Sequence, residues 1–296
     1  MQFELKTGVP PAGSIVETIR ALLDYAHACL EKKDADLNIA VHEVRKSLKR
    51  LRAILRLVRP VLDSKSFQTA DRAVRDLGRR LGGARDSAVL LVSFDRLADY
   101  YTPFLCAEGM QPVRDNLESQ YQSAMDAFLV NIDVHSLEEQ LEGLRQRLDA
   151  LDLTGFTRHM LFASVRKTYR AGRRALRALH EEPTTRHSHA LRRHAKYLWF
   201  QLLLLRNWNP AVLEPVVADL DELGEVLGQD HDLAMLADTL NAHPGIVDNR
   251  IRGELLNGLV ESRRIALLAA GLRTADTVYA IRPARFISQL ESAIPI

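Results

Sequence analysis

The chain has 296 residues, 47% of them hydrophobic and 26% charged, enough for a sizeable core in one large domain or two ordinary ones. Forty Lys+Arg face 38 Asp+Glu, so the formal net charge of +2 excludes a uniformly basic protein, and any strong charge must be local. Two cysteines, Cys29 and Cys106, exclude a disulfide framework and are expected to pack as small apolar groups in a reducing compartment.

The opening stretch, MQFELKTGVPPAGS, holds no apolar run behind a basic start, so no secretory signal is expected. Apolar residues then recur at three- and four-residue spacing almost throughout, with no convincing alternation. This predicts an all-α chain with helices over 14–31, 36–59, 66–83, 85–101, 112–130, 136–150, 158–180, 186–207, 211–228, 231–242, 247–271 and 282–293. Pro60, Pro103, Pro112, Pro183, Pro210, Pro215, Pro244 and Pro283 fall at or near the proposed ends, where proline costs a helix least. The most apolar stretch, YLWFQLLLL from Tyr197 to Leu205, is too short to span a bilayer. A soluble cytoplasmic protein with no membrane partner is expected.

The helix predicted over 36–59 carries VHEVRKSLKRLRAILRL from Val41. On a helical projection His42, Arg45, Lys46, Lys49, Arg52 and Arg56 share one side. Val44, Leu48, Leu51, Leu55 and Val58 occupy the opposite arc. Solvated faces normally mix signs, because like charges four residues apart repel. Here no acid follows Glu43 until Asp63, which points to an anionic partner that relieves the repulsion. A later helix, FASVRKTYRAGRRALRAL, lines up Arg166, Arg170, Arg173, Arg174 and Arg177 beside Phe162, Val165, Tyr169 and Leu176.

Two motifs repeat in order. HEVRKSLKRLR, starting at His42, returns 147 residues on as HALRRHAKYLW, which matches His189, Arg192, Arg193 and Lys196 to His42, Arg45, Lys46 and Lys49. LGRRLGGARD, starting at Leu77, returns 146 residues on as LGEVLGQDHD. The chain therefore reads as two similar helical halves, residues 1–150 and 151–296, packed around a shared basic groove. The second copy diverges where Arg50, Arg52 and Arg56 become Tyr197, Trp199 and Leu203. Gly78 and Gly82, like Gly224 and Gly228, lie four apart and are expected to allow close helix–helix approach.

Arginine offers phosphate a planar fork of donors and lysine a compact charge. There is no P-loop or glycine-rich nucleotide motif, and no cofactor is expected. The basic faces carry few aromatics on which bases could stack, and no helix-turn-helix is present. A long, repetitive polyanion without bases fits best; a nucleic acid or another polyanion on the same groove is the alternative. His42 and His189 head the stripes and can contact phosphate or cap a neighbouring helix. DHD at Asp230–Asp232 allows a third reading, a metal-dependent phosphohydrolase. The repeat argues against it, because Arg85 stands where His231 stands. Asp86 and Asp232 are expected to pair with basic neighbours or cap a helix.

VHEVRKSLKRLRAILRL, LGRRLGGARD, HALRRHAKYLWF and LGEVLGQDHD together resemble the CHAD family, the conserved-histidine α-helical domain, and VYAIRPARF (Val278–Phe286) is similar to that family's C-terminal stretch. The resemblance covers most of the chain. It implies two helical bundles about a pseudo-twofold axis, a basic central groove, and binding of inorganic polyphosphate at polyphosphate granules. His42, Arg45, Lys46, Lys49 and Arg52 carry over from the first motif, and His189, Arg192, Arg193 and Lys196 from the second. Trp199 and Phe200 depart from it, standing where the family commonly has a basic residue and a tyrosine. No CYTH-like (triphosphatase-like) catalytic unit is recognisable, so a non-enzymatic binding module is expected, with its oligomeric state unspecified.

Overall fold

The computed structural model describes residues 3–31, 37–82, 85–102, 107–247 and 249–293. It is 86% helix, and no strand occurs among the described residues, so the fold is all-α. The helices are α1 (Pro11–Glu31), α2 (Leu37–Leu57), α3 (Ser64–Arg80), α4 (Arg85–Tyr101), α5 (Ala107–Asn131), α6 (Val134–Asp149), α7 (Arg158–Glu181), α8 (Thr185–Leu205), α9 (Pro210–Ala242), α10 (Arg250–Val278) and α11 (Pro283–Ala293).

Local chemistry sets many of the starts. Asp63, Asp133, Thr157, Thr184, Asn209 and Asn249 each cap a helix by accepting from a backbone N–H one turn in, satisfying donors that would otherwise be orphaned. Pro210 opens α9, where its missing N–H costs nothing. Three predicted boundaries differ. Helix α5 starts at Ala107, with Pro112 inside its second turn rather than at its start. The breaks expected after Gly228 and Gly271 are absent, and α9 and α10 run through both. At Gly271 the reason is contact: an added Cβ would lie 2.8 Å from Leu227 Cδ2, so the glycine lets α10 press against α9. Asp232 lies within α9, which removes the capping role that was one of its two expected ones.

The apolar side chains of the described residues gather in two clusters. One joins α1, α2, α3, α6, α7, α8, the first part of α9 and α11. The other joins α4 and α5 to the later part of α9 and to α10. Each cluster draws on residues from both sides of residue 150. Tyr169 of α7 fastens the C-terminal stretch: its hydroxyl donates to the carbonyls of Val278 and Ile281 at 3.0 Å, and Phe286 stacks on its ring at 4.2 Å. At the other end Leu5 N donates to Leu204 O at 2.7 Å, and Trp208 Nε1 donates to Leu5 O. Helices α7 and α8 also pack against α2.

Candidate anion-binding site

Helices α2, α7 and α8 pack on one another and concentrate charge of one sign. There are six Lys and Arg on α2, seven on α7 and four on α8, whereas Glu43 and Glu181 are the only carboxylates of the three helices. Their apolar sides go into the first cluster, which leaves the cations at the surface.

The structure divides these cations into held and open ones. On α2, Arg52 Nε and Arg56 Nη1 both donate to Asp71 Oδ1 of α3, at 3.1 and 2.8 Å. Arg45 Nη1 donates to Gly78 O at 2.7 Å, and Lys46 lies 3.5 Å from Glu43. His42 and Lys49 are exposed on the same helix. The stripe thus finds anionic relief within the protein, from Glu43 on its own helix for Lys46 and from Asp71 of α3 for Arg52 and Arg56. On α8, Lys196 reaches Asp221 and Glu225 of α9 at 3.3 and 3.0 Å and lies over the Trp199 ring at 4.5 Å. Arg192 Nε donates to Gly224 O at 3.4 Å.

On α7, Arg166, Arg170 and Arg173 have no carboxylate partner among the described residues, and the same holds for Arg193 of α8. Arg166, Arg170 and Arg193 are exposed, and Arg173 partly so. The open charges therefore sit mainly on α7, which the repeats do not mark.

Three of the four paired glycines serve the cations; Gly78 meets only Leu48 Cδ1, at 3.8 Å. A Cβ on Gly224 would strike Lys196 Cε and come within 2.8 Å of its Nζ, and one on Gly228 would lie 3.1 Å from Arg192 Nη2. A Cβ on Gly82 would lie 2.8 Å from Arg79 O of its own turn and 3.3 Å from Arg45 Nη1. In place of close backbone approach, these glycines open room for long basic side chains to lie across the neighbouring helix. The two repeated motifs are parts of one arrangement, with the basic arm from one and its bed from the other.

Electrostatics follow from this crowding. Burial alone would raise the Asp71 carboxyl, but the Arg52 hydrogen bond and the Arg56 charge hold it below its ordinary value. Glu225 is likewise kept low against burial by Lys196, with Arg192 and Arg96 behind it. His189 stacks on His231 at 4.9 Å and is pushed down by burial, then by His231, Arg192 and Arg193.

His194, which the sequence reading passed over, is pushed down to about 4 by burial and then by Arg193, Arg174 and Arg56. It marks where α2, α7 and α8 bring cations together; Arg56 also lies over the Tyr197 ring of α8 at 4.2 Å. Its one sequence signal was its place after Arg192 and Arg193, since Arg56 and Arg174 are distant along the chain.

DHD is structural in part. Asp230 is buried, accepts from Ser188 Oγ at 2.8 Å and pairs with Arg264 Nε at 3.1 Å. Among the described residues no three His, Cys, Asp or Glu side chains gather in a way that could hold a metal ion, and no helix is long and apolar enough to cross a membrane.

None of the curated proteins matches this sequence. Among solved structures, the CHAD domain from the plant Ricinus communis superposes with a TM-score of 0.66 at 16% identity, over 92% of this chain and 95% of that one. PptA from Streptomyces chartreusis superposes at 0.62 and 14% identity, over 92% and 100%. At these identities the likeness establishes the fold. The model of the CHAD domain family matches residues 16–241, and the chain belongs to that family.

Proposed function

We propose that this protein is a non-enzymatic binder of inorganic polyphosphate, acting in the cytoplasm at polyphosphate granules. The observation that carries the reading is the charge separation: three adjacent helices bear seventeen Lys and Arg against two carboxylates in a chain that is nearly neutral. In this reading the two halves form a pseudo-symmetric pair about a basic groove. The α7 arginines and Arg193 meet the polyanion first, as open charges. Arg45, Lys46, Arg52 and Arg56, with Arg192 and Lys196, then exchange carboxylate and carbonyl partners for phosphate, and Lys49 adds its charge beside them. His42 and His189 lie at the heads of the two stripes.

Scarcity of exposed aromatic faces along these stripes favours a chain of phosphates over bases, because single-stranded nucleic acids gain roughly 1–3 kcal/mol per stacked base. Competition between polyphosphate and RNA or DNA at matched phosphate concentration is the test. Polyphosphate should displace both nucleic acids, and its affinity should fall steadily with salt as phosphate contacts release counterions. Salt-independent affinity, or preference for RNA or DNA, overturns the reading.

A further inference from the structure

Helix α3 has two sides with different uses. Asp71 and Gly78 face α2, where they meet Arg52, Arg56 and Arg45. Arg72, Asp76 and Arg80 face the other way and, with Arg147 of α6, line an open groove of about 330 Å³ between α3 and α6. Arg72, Arg80 and Arg147 are exposed, and none of them has a carboxylate partner among the described residues. Arg147 Nη1 donates to Gly143 O of its own helix at 3.3 Å. The one carboxylate on the lining, Asp76, lies 3.2 Å from Arg75 Nε and 3.7 Å from Arg79 Nη1, so two arginines already answer its charge.

The repeated motif shows that this charge is not a demand of the fold. At the 146-residue offset, Asp221 and Glu225 stand where Arg75 and Arg79 do. Those two carboxylates hold Lys196, the counterpart of Lys49. Helix α9 carries eight Asp and Glu and no Lys or Arg, whereas α3 carries five Lys and Arg against two Asp. The helices that bear the second motif therefore differ in sign, acidic beside the second stripe and basic beside the first.

We infer that the α3–α6 groove is a further phosphate-binding site, which takes the run of a polyphosphate chain that continues from the α2 stripe over Arg75 and Arg79. The inference rests on the polyphosphate reading and lengthens the track on the first half alone. Arg72 and Arg80 lie about 12 Å apart along the helix axis, from a rise of about 1.5 Å per residue. A single phosphate cannot bridge that span, whereas several linked ones can. Arg147 approaches from α6, so guanidinium forks meet phosphate oxygens from both walls.

Calorimetry on the full chain with long-chain polyphosphate and with tripolyphosphate tests the inference. The groove variant is Arg72→Gln with Arg147→Gln. Its charge-matched control is Arg114→Gln with Arg250→Gln, on α5 and α10 of the other apolar cluster. The groove variant should bind long chains at least fivefold more weakly and with a shallower fall in salt, since fewer counterions are released. The control should change less than twofold, and circular dichroism should be unchanged in both. Tripolyphosphate should lose one site per molecule in the groove variant and keep it when Arg166, Arg170 and Arg173 are reversed to Glu. Equal weakening of long chains by groove variant and control, or an unchanged tripolyphosphate stoichiometry in the groove variant, overturns the inference. Failure of the unmodified protein to bind long chains sinks the polyphosphate reading instead, and the tripolyphosphate count still decides whether the groove takes phosphate.

Discussion

Arg56 Nη1 donates to Asp71 Oδ1 at 2.8 Å, and that same oxygen also accepts from Arg52. One carboxylate thus occupies two of the cations that the polyanion is proposed to take. Asp71→Asn removes both the competitor and a charge that repels phosphate. Polyphosphate affinity at low salt should rise several-fold, read by fluorescence anisotropy. The variant should lose about 1 kcal/mol of stability, since two half-buried arginines lose a charged partner. The acid limb checks the assignment. A carboxyl held below its ordinary value of 3.8 adds stability that is present above that value and is lost as pH falls through the lower folded value. The asparagine variant should lack that step in its unfolding curve.

The open row on α7 leads to a second prediction. Arg166, Arg170 and Arg173 have no carboxylate to give up, so their charges are available at once. Reversing all three to Glu should weaken polyphosphate more than reversing Arg192 and Lys196, because Lys196 must first leave Asp221 and Glu225. Reversing Arg45 and Lys49 should fall between the two. Helicity by circular dichroism should hold in all three variants.

Histidine titration gives a third. Burial, then His231, Arg192 and Arg193 keep His189 from charging in the free protein. Bound phosphate would favour the charged form, so binding should take up protons near neutral pH. Affinity should be greater below the free-state value and should fall as pH rises through the higher bound-state value. Calorimetry in buffers of different ionisation enthalpy counts the protons, and replacing His189 with Gln should remove most of the uptake.

His194 controls stability rather than affinity at neutral pH. Its folded value of about 4 lies below the ordinary 6.5, so the unfolded chain binds more protons between these limits. Stability contributed there is present above 6.5 and is lost as pH falls toward 4. The melting temperature should decline across that window, and His194→Gln should flatten the decline.

Two glycine substitutions should separate the two uses of glycine on α9 and α10. Gly271→Ala puts a Cβ 2.8 Å from Leu227 Cδ2, deep in the core, and should cost about 1–3 kcal/mol by overpacking. Gly224→Ala meets only the flexible end of Lys196. Its stability should change by less than about 1 kcal/mol, since better helix propensity offsets the displaced lysine. Thermal melts of both variants decide the matter.

Much of the helical order was readable because apolar spacing and caps are local. Glycine roles were less so. A glycine inside a periodic run reads as a stop, and only the side chain it meets, Leu227 for Gly271 or Lys196 for Gly224, shows why the helix continues. The cationic stripes were visible residue by residue, but their partners were not. Asp71 lies on another helix, and nothing in its sequence neighbourhood says that it faces Arg52 and Arg56. His194 shows the same limit, because the arginines that act on it come from three helices.

The bond from Trp208 to Leu5 joins residues 203 positions apart. At about 5–20 residues per second, a ribosome needs roughly 10–40 s to make the intervening chain. Throughout that interval Phe3 and Leu5, both buried in the finished fold, have no partner from α8 to cover them. Greasy residues of this segment therefore wait for a partner made much later, which leaves them uncovered on the nascent chain until α8 has emerged.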